Sequence, residues 1–201
     1  MSYAPHSDPA QATDPLHLWD QWLAEATASE PNDPNAAALA TATTGAVPSV
    51  RMVLVKPIDR HPFCFFTNSQ SRKGGELTQN PHVALCFHWK SLRRQVRVEG
   101  PITLLSSEAA DAYFHSRSRK SQLGAAASRQ SQPLASREVL EEAVRQLTAV
   151  TPAVVPRPPH WLGYQLNPTQ IEFWIDGPAR LHDRFLFTQV NGEWQKSRLY
   201  P

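Results

Sequence analysis

A series of short segments with alternating apolar and polar residues limits the fold of this chain more than any other feature. The segments have the two-residue period of β-strands, and turn-forming residues such as Thr44-Gly45-Ala46 and Asn191-Gly192 separate them. Because consecutive antiparallel strands leave exposed edges unless the sheet closes, the pattern favours a barrel. We predict strands at residues 38–43, 50–55, 63–67, 82–87, 94–99, 102–105, 162–166, 171–175, 185–190 and 194–199.

Helical segments flank and interrupt these strands. Asp14 can cap a helix and Pro15 suits its first turn, while Glu30-Pro31 ends it. Ser71 is a candidate N-cap for a second helix. The fold class is therefore mainly β with α (α+β), an antiparallel barrel with peripheral helices. The remaining predicted helices span residues 71–79, 106–115 and 136–147, and a Pro-rich connector spans residues 151–159.

Length and composition favour a single domain. The 201 residues are 41% hydrophobic, which suffices for one substantial core, and we expect one domain over residues 14–201 behind a mobile polar arm, residues 1–13. Cys64 and Cys86 lie in apolar runs, as buried free thiols do, which suits a reducing cytoplasm. The N-terminus lacks the pattern of a signal peptide, and no apolar run approaches a membrane span, so we expect neither export nor a membrane anchor.

Positive charge is concentrated in four short clusters, although the formal net charge is only +2. A nearly balanced chain is not typical of a nucleic-acid binder, whose affinity comes from many clustered cations. Cations beside hydroxyl groups suit a small phosphorylated ligand, because phosphate accepts bidentate Arg hydrogen bonds and point-charge Lys contacts. Several clusters indicate more than one phosphate. The clusters are residues 51–56, 71–73, 117–121 and 180–184.

Each cluster also has a purely structural interpretation. The first could protect an edge strand, and the second could be an ordinary capped helix start rather than an anion site. Tyr113, Arg117 and Ser121 would share one face if a helix continues past Tyr113, or they could be a solvated helix end. The aromatic residues before the fourth cluster could line a flat ring or simply belong to the core. The eight His and two Cys show no metal-binding spacing, and no GxGxxG or P-loop is present.

Eight motifs occur together in order: RMVLVK, FTNSQSRK, RRQV, YFHSRSRKSQLG, SRQS, QIEFW, RLHDRF and SRLYP. Over residues 14–201 the chain resembles the pyridoxine/pyridoxamine 5′-phosphate oxidase family. The resemblance implies an FMN-binding split β-barrel that forms a homodimer, with two FMN sites at the interface built from both subunits. The FMN contacts implied by the resemblance are Arg51, Met52, Val53, Leu54, Val55, Lys56, Phe66, Thr67, Arg72, Lys73, Gln95, Gln130, Ser131, Trp174 and Arg184.

The resemblance also implies the substrate site and the reaction. Pyridoxamine or pyridoxine 5′-phosphate would be oxidised to pyridoxal 5′-phosphate by hydride transfer to the flavin, and O2 would then reoxidise the flavin and give H2O2. No side-chain nucleophile is needed. Arg180 and His182 would flank the pyridine ring, Arg180 covering the substrate and His182 orienting it. The residues implied for the substrate are Arg180 and His182 at the ring and four holders of the phosphate, Lys56, Tyr113, Arg117 and Ser121.

The N-terminal arm departs from the family pattern. Family members often carry an Arg and, three residues later, a Tyr that close over the substrate, whereas this arm contains Tyr3 and no Arg. Two alternative functions remain. One is a related FMN oxidase of the phenazine-biosynthesis type, which acts on a substrate without phosphate. The other is a noncatalytic protein that binds flavin or pyridoxal phosphate.

Overall fold

A computed structural model describes residues 7–151 and 153–201. The described chain contains five α-helices and ten strands. The helices are α1 (Pro15–Ser29), α2 (Arg72–Gln79), α3 (Ser107–Ser116), α4 (Arg119–Ala127) and α5 (Arg137–Val150). The strands are β1 (Ala36–Ala42), β2 (Pro48–Leu54), β3 (Lys56–Ile58), β4 (His61–Asn68), β5 (His82–Trp89), β6 (Arg94–Leu104), β7 (Trp161–Leu166), β8 (Gln170–Ile175), β9 (Asp183–Val190) and β10 (Glu193–Leu199).

Strand β6 is the branch point of the sheet. Its first part pairs with β5 on one side and with β8 on the other, and Ile102 to Leu104 pair with β7 instead. One branch continues through β8 and β9 to β10, and the other through β7 and β4 to β3. The strand changes partners at Gly100, where a Cβ atom would lie 2.1 Å from the carbonyl oxygen of Asn167. Only glycine allows this close approach of the two backbones.

The sheet curls into an open barrel. Its path runs from β2 through β1, β5, β6, β7 and β4 to β3, and each pair of neighbouring strands is antiparallel. The chain passes directly from β2 to β3 at Val55, which is 2% exposed. The split-barrel prediction is therefore confirmed. Residue alternation in β2 places Ser49, Arg51 and Val53 inward, and Val50, Met52 and Leu54 outward.

Helix α1 supplies aromatic residues to the core. The Asp14 side chain accepts a hydrogen bond from the Leu16 N–H, as predicted for this N-cap. Trp19 lies 4.9 Å from Phe63 and 4.5 Å from Phe87 between ring centroids, so the helix packs against β4 and β5. Offset and tilted aromatic pairs of this kind add to the free energy gained by burial.

The structure differs from the predicted elements in three places. Strand β3 is an additional element, and the two strands expected at residues 94–99 and 102–105 form one strand, β6. Gly100 and Pro101 lie between the two expected strands, and the strand continues through them while its pairing changes from β8 to β7. The third difference is the break between α3 and α4, which affects the candidate site and is described below.

Part of the N-terminal arm contacts the domain. The Lys196 ammonium group donates to the carbonyl oxygens of Pro9, Ala10 and Ala12 at 3.2, 2.6 and 2.8 Å, and Trp22 Nε1 donates to the Ser7 carbonyl at 2.9 Å. Residues 1–6, including Tyr3, lie outside the described residues.

Among the helices that the structure describes, none combines the length and apolar character needed to cross a bilayer.

Candidate functional site

A cleft of about 640 Å³ lies between the edge strand β2, the start of α2 and the region around α3 and α4. Most of the predicted FMN contacts border it, together with two of the predicted substrate contacts. Its volume suits a small-molecule ligand. The cleft is lined by Ser49, Val50, Arg51, Met52, Val53, Leu54, Phe66, Thr67, Arg72, Lys73, Tyr113, Arg117, Gln130, Ser131 and Trp161.

The start of α2 brings a buried ammonium group to this cleft. Ser71 caps the helix by accepting a hydrogen bond from the Gly74 N–H, as predicted. Lys73 is 9% exposed, and its Nζ donates to Thr67 Oγ1 at 3.1 Å and to Gln130 Oε1 at 3.0 Å. Burial, together with the nearby positive charge of Arg51, lowers the pKa of Lys73. An ammonium group that has lost water at a helix start favours an anion nearby.

A carboxylate that the sequence analysis did not identify organises the arginines of the same region. Glu76 accepts hydrogen bonds from Thr41 Oγ1 at 2.5 Å, Ser49 Oγ at 2.6 Å, Arg72 Nε at 2.9 Å and Arg51 Nη2 at 3.2 Å. Burial alone would raise the pKa of Glu76, but these hydrogen bonds outweigh it and lower the pKa to about 2. We call these five residues the Glu76 cluster.

The opposite side of the cleft is aromatic. The rings of Phe66 and Tyr113 stack with centroids 4.1 Å apart, and Phe66 and Trp161 stack at 5.0 Å. The Arg117 guanidinium lies over Trp161, 5.2 Å from the ring centroid. Its buried Nη1 has no hydrogen-bond partner among the described residues, and burial lowers the pKa of Arg117. A buried donor without a partner is costly, so this atom is a strong candidate for a contact with a bound anion.

The predicted helical face of Tyr113, Arg117 and Ser121 is wrong, since α3 ends at Ser116 and α4 begins at Arg119. Ser118 caps α4 by accepting a hydrogen bond from the Ser121 N–H, and Arg117 has an extended backbone with ψ of 154°. A serine cap competes with continued helix, because its side chain satisfies the N–H groups of a new helix start. The break turns Arg117 towards the aromatic rings rather than along one helix.

Ser121 and Arg117 both line a second, smaller cleft of about 360 Å³. Arg117, Phe66, Thr67, Gln130 and Trp161 line both clefts, so the two spaces adjoin. Tyr113 borders the larger cleft and Ser121 the smaller one. Three of the four predicted substrate-phosphate residues, all except Lys56, therefore border adjoining clefts, although no single helix face unites them.

A second group of predicted residues lies elsewhere on the sheet. Gln95, Trp174 and Arg184 are register partners across β6, β8 and β9. The His182 ring lies 4.7 Å from the Trp174 ring, and His182 Nδ1 accepts a hydrogen bond from the Gly177 N–H at 3.1 Å. We call Gln95, Trp174, His182 and Arg184 the β8 row. Within the described chain these residues line neither cleft, and three strands separate β8 from β2.

Arg184 belongs to a second buried carboxylate cluster. Glu172 is 3% exposed and accepts hydrogen bonds from Arg184 Nε at 2.8 Å, Arg184 Nη2 at 3.0 Å and Arg97 Nη2 at 2.7 Å. Arg184 Nη1 also donates to the Tyr200 carbonyl at 3.0 Å. The hydrogen bonds that Arg184 donates to Glu172 raise the pKa of Arg184. We call Glu172, Arg97 and Arg184 the Glu172 cluster.

Three other predicted residues border neither cleft. Val55 is a core residue, and Lys56 begins β3, where it pairs with Cys64. Arg180 follows Ala179 in a short turn where both residues have a positive φ, 62° and 54°. Such backbone is unfavourable for residues other than glycine and is often found at functional sites.

Three residues of the site, Glu76, Ser49 and Trp161, were not predicted from the sequence. A carboxylate at the i+4 position from Arg72 was a visible signal for Glu76, whereas its contacts with β1 and β2 were not visible. Trp161 follows the Pro-rich connector and gave no motif. Among the described residues, no group of three or more His, Cys, Asp or Glu side chains is arranged to hold a metal ion.

Comparison with known proteins covers nearly the whole chain. Residues 23–151 match the family described as "Pyridoxamine 5′-phosphate oxidase", and residues 161–201 match "Pyridoxine 5′-phosphate oxidase C-terminal dimerisation region". A relative from Brucella canis, named pyridoxine/pyridoxamine 5′-phosphate oxidase, is 53% identical over 197 residues, which are 96% of this chain and 97% of the relative. A relative of the same name from Brucella abortus (strain S19) has the same identity and coverage.

Solved structures agree with the fold. PhzG from Burkholderia lata 383, determined in complex with tetrahydrophenazine-1-carboxylic acid, superposes with a TM-score of 0.91 at 33% identity over 100% of this chain and 98% of PhzG. A pyridoxamine 5′-phosphate oxidase-related, FMN binding protein from Nostoc punctiforme has a TM-score of 0.75 at 20% identity, covering 91% and 97% of the two chains. From the sequence matches and the shared fold, the chain belongs to the pyridoxine/pyridoxamine 5′-phosphate oxidase family.

Proposed function

We propose that this protein is an FMN-dependent oxidase that converts pyridoxamine 5′-phosphate and pyridoxine 5′-phosphate to pyridoxal 5′-phosphate in vitamin B6 biosynthesis or salvage. O2 is the electron acceptor and H2O2 the by-product, and the amine substrate also releases ammonia. The observation that carries the proposal is a cleft with cations on two opposite sides, in a chain 53% identical to relatives named for this reaction. One cationic side suits each of two phosphates.

The residues of the cleft fit FMN. The Glu76 cluster and Lys73 offer guanidinium and ammonium donors for a terminal phosphate beside a helix start, and Thr67, Gln130 and Ser131 add polar groups. The edge strand β2 offers apolar side chains and backbone along the cleft. When bound there, FMN supplies the redox chemistry, since its flavin ring accepts a hydride from carbon C4′ of the substrate and is reoxidised by O2.

The opposite side of the cleft suits the substrate phosphate. Arg117 offers an unpaired, buried N–H, and Tyr113 and Ser121 offer hydroxyl groups nearby. We assign to these three side chains the binding of the phosphate, which positions the ring of the substrate for reaction. Lys56, the fourth predicted phosphate contact, borders neither cleft and is the weakest member of this assignment.

We assign Arg180 and His182 to the pyridine ring. His182 is held by the Gly177 N–H and the Trp174 ring, and Asp176 Oδ1 lies 3.2 Å from His182 Nδ1. A ring fixed on these sides leaves Nε2 for a substrate atom, which suits orientation by a hydrogen bond rather than proton abstraction. Arg180 precedes it in the strained turn and would cover the substrate.

We further propose a homodimer with FMN at the interface. The β8 row and the cleft lie on separate parts of one chain, so a partner that brings its β8 row to this cleft would complete the site. Val50, Met52 and Leu54 form an exposed apolar stripe on β2 beside the cleft, at 67%, 64% and 48% exposure, which suits burial against a second copy. Residues 161–201, which contain much of the β8 row, match a dimerisation region.

We also propose a cytoplasmic location, which the two free cysteines favour.

Two measurements test the activity. We expect the purified holoprotein to lose its visible flavin absorbance when pyridoxamine 5′-phosphate is added without air, and to produce H2O2 when air is admitted. Pyridoxamine without its phosphate is the matched control, and we expect a rate lower by about two orders of magnitude at equal concentration, since Arg117 then has no anion to bind. A flavin band that stays unchanged with the phosphorylated substrate would contradict the oxidase.

The alternative is an oxidase that acts on a phenazine precursor, which the likeness to PhzG favours. The same assay distinguishes the two functions. A phenazine-type enzyme would be reduced by a reduced phenazine carboxylic acid such as the tetrahydrophenazine-1-carboxylic acid bound to PhzG, and not by pyridoxamine 5′-phosphate. The unpaired Arg117 donor beside Tyr113 and Ser121 favours the phosphorylated substrate.

The dimer has a separate test. Met52→Glu puts a charge in the apolar stripe, and burial of that charge at an interface is costly. We expect this variant to sediment as a monomer and to lose FMN on dialysis. Val139→Glu, at a residue of similar exposure on α5, is the control and should remain a dimer. A Met52→Glu variant that is still dimeric and yellow would contradict an interface at β2.

A further inference from the structure

We infer that Glu76 is a positioning residue, which holds the guanidinium group of Arg72 in the orientation that binds the terminal phosphate of the flavin nucleotide and keeps the positive charge of Arg51 beside it. This inference rests on the proposed FMN function. Glu76 itself does not line the cleft, whereas both arginines do. It therefore acts through them and not by contact with the ligand.

The contacts of Arg72 explain how the orientation is set. Its Nε donates to Glu76 Oε1 at 2.9 Å, four residues further along α2. Among the described residues, neither Nη atom of Arg72 has a protein partner, and the side chain is 61% exposed. Because the guanidinium is planar, fixing Nε fixes the direction of both Nη groups. An exposed arginine would otherwise sample many rotamers and lose entropy on binding.

Arg51 is held by the same carboxylate through two hydroxyl groups. Thr41 Oγ1 and Ser49 Oγ donate to Glu76 Oε2, and each accepts a hydrogen bond from Arg51 at 2.5 Å. Arg51 Nη2 also contacts Glu76 Oε2 directly. The Nη groups of Arg51 are thus committed to the cluster, and its position beside the cleft is rigid. A buried network in which every member is satisfied specifies one arrangement.

The chemistry of the network requires a carboxylate. All the groups that face Glu76 are donors, namely two hydroxyls and two guanidiniums, so each of its two oxygens must accept. In Glu76→Gln one of those positions becomes an NH2 group, which would face either Arg72 or the Arg51 side. On the Arg51 side the amide oxygen would accept from three donors, so the NH2 group is better placed facing Arg72, whose guanidinium then loses its acceptor and is free to turn.

The test separates phosphate binding from general flavin binding. For the full-length chain stripped of flavin, the dissociation constants of FMN and riboflavin are measured by quenching of flavin fluorescence, and their ratio reports the contribution of the phosphate. We expect Glu76→Gln to lower this phosphate preference about tenfold, with the riboflavin affinity nearly unchanged. In the background of Arg72→Ala, we expect Glu76→Gln to lower it much less, since the arginine that it orients is absent.

Glu142→Gln is the matched control, because Glu142 forms an i,i+3 pair with Arg145 on the exposed helix α5. It should leave the preference unchanged. Equal losses of FMN and riboflavin affinity in Glu76→Gln would indicate a merely structural role, and a higher preference would indicate that Glu76 opposes the phosphate; either result overturns the inference. A wild-type chain that does not prefer FMN to riboflavin would instead contradict the proposed function.

A second variant keeps the inference testable if Glu76→Gln does not fold. Arg72→Lys retains the positive charge at an exposed position but has no Nε to contact Glu76. We expect it to lose most of the phosphate preference that Arg72→Ala loses. If Arg72→Lys keeps the wild-type preference, charge alone is sufficient and the orienting role of Glu76 is wrong.

Discussion

Two buried carboxylates, Glu76 and Glu172, each bind two arginines, but Arg72 of the first cluster borders a cleft with N–H groups still available, whereas Arg184 of the second cluster uses Nε, Nη1 and Nη2 within the protein. In the Glu76 cluster, Arg72 uses only Nε, and its two Nη groups lie at the cleft without a described protein partner. In the Glu172 cluster, Arg184 uses Nε and Nη2 for the carboxylate and Nη1 for the Tyr200 carbonyl.

The position of the carboxylate in the fold decides the role of each cluster. Glu172 lies on the central strand β8 and connects β6, β9 and the C-terminal end of the chain, so its hydrogen bonds hold elements together. Glu76 lies on a helix beside an edge strand, where nothing in the described chain covers the outward side of Arg72. The same ion-pair chemistry therefore stabilises the sheet at the Glu172 cluster and orients hydrogen-bond donors towards the cleft at the Glu76 cluster.

The largest effect should come from Glu172→Gln. Removing the charge of this buried, doubly paired carboxylate leaves Arg184 without a counter-charge and Arg97 with only Glu99 Oε1 at 3.6 Å, and we expect a loss of about 3 kcal/mol in the free energy of unfolding. The FMN-over-riboflavin preference should stay unchanged. Urea unfolding and flavin titration measure the two quantities. If the preference falls as far as in Glu76→Gln, the distinction between the two clusters is wrong.

The next largest effect concerns the side of the cleft opposite the Glu76 cluster. Arg117→Ala removes the unpaired buried donor, and we expect the KM for pyridoxamine 5′-phosphate to rise about 30-fold, while the FMN dissociation constant changes less than about twofold. Steady-state peroxide assays and flavin titration check this. Lys120→Ala, at an exposed neighbouring cation, is the control. Equal losses for substrate and FMN would show that the two sides are not separate.

A smaller effect is expected from replacing Arg72. Arg72→Ala should weaken FMN binding about tenfold, because it removes the two Nη groups at the cleft, with little change in stability since the side chain is largely exposed. The flavin absorbance that remains after dialysis measures retention. Arg145→Ala on α5 removes a similar exposed helical ion pair and should retain FMN fully. An Arg72→Ala protein that stays fully yellow would remove this residue from the phosphate site.

The smallest effect is a pH dependence. The folded-state pKa of Glu76 is about 2, below the ordinary value of 4.5, so the folded protein binds fewer protons than the unfolded chain in this range. The stabilisation by Glu76 is present above pH 4.5 and is lost as the pH falls from 4.5 towards 2. Urea unfolding at about pH 6 and about pH 3.5 should show a smaller acid-induced loss in Glu76→Gln than in the wild type. If the wild type and Glu76→Gln lose the same free energy of unfolding between the two pH values, the low pKa of Glu76 is contradicted.

Local features of the structure were predictable because they depend on neighbouring residues. The caps at Asp14 and Ser71 have the expected hydrogen bonds, and the β1–β2 hairpin forms around the predicted turn. The break at Arg117 is also a local event, but two signals competed there. A helix continuing from Tyr113 and a new helix capped by Ser118 both fit the residues, and packing against Trp161 accompanies the second.

The strand series, the helix caps and the family were predictable from the sequence. Alternation and capping depend on residues close together in the chain, and the order of the motifs can be seen along it. Only the tertiary structure decided which charges meet. Thr41 and Glu76 are 35 residues apart, and Gln95, Trp174 and Arg184 meet only through strand register. Contacts of this kind arise from how β1, β2 and α2 pack and from how β6, β8 and β9 pair, and no local pattern contains that information.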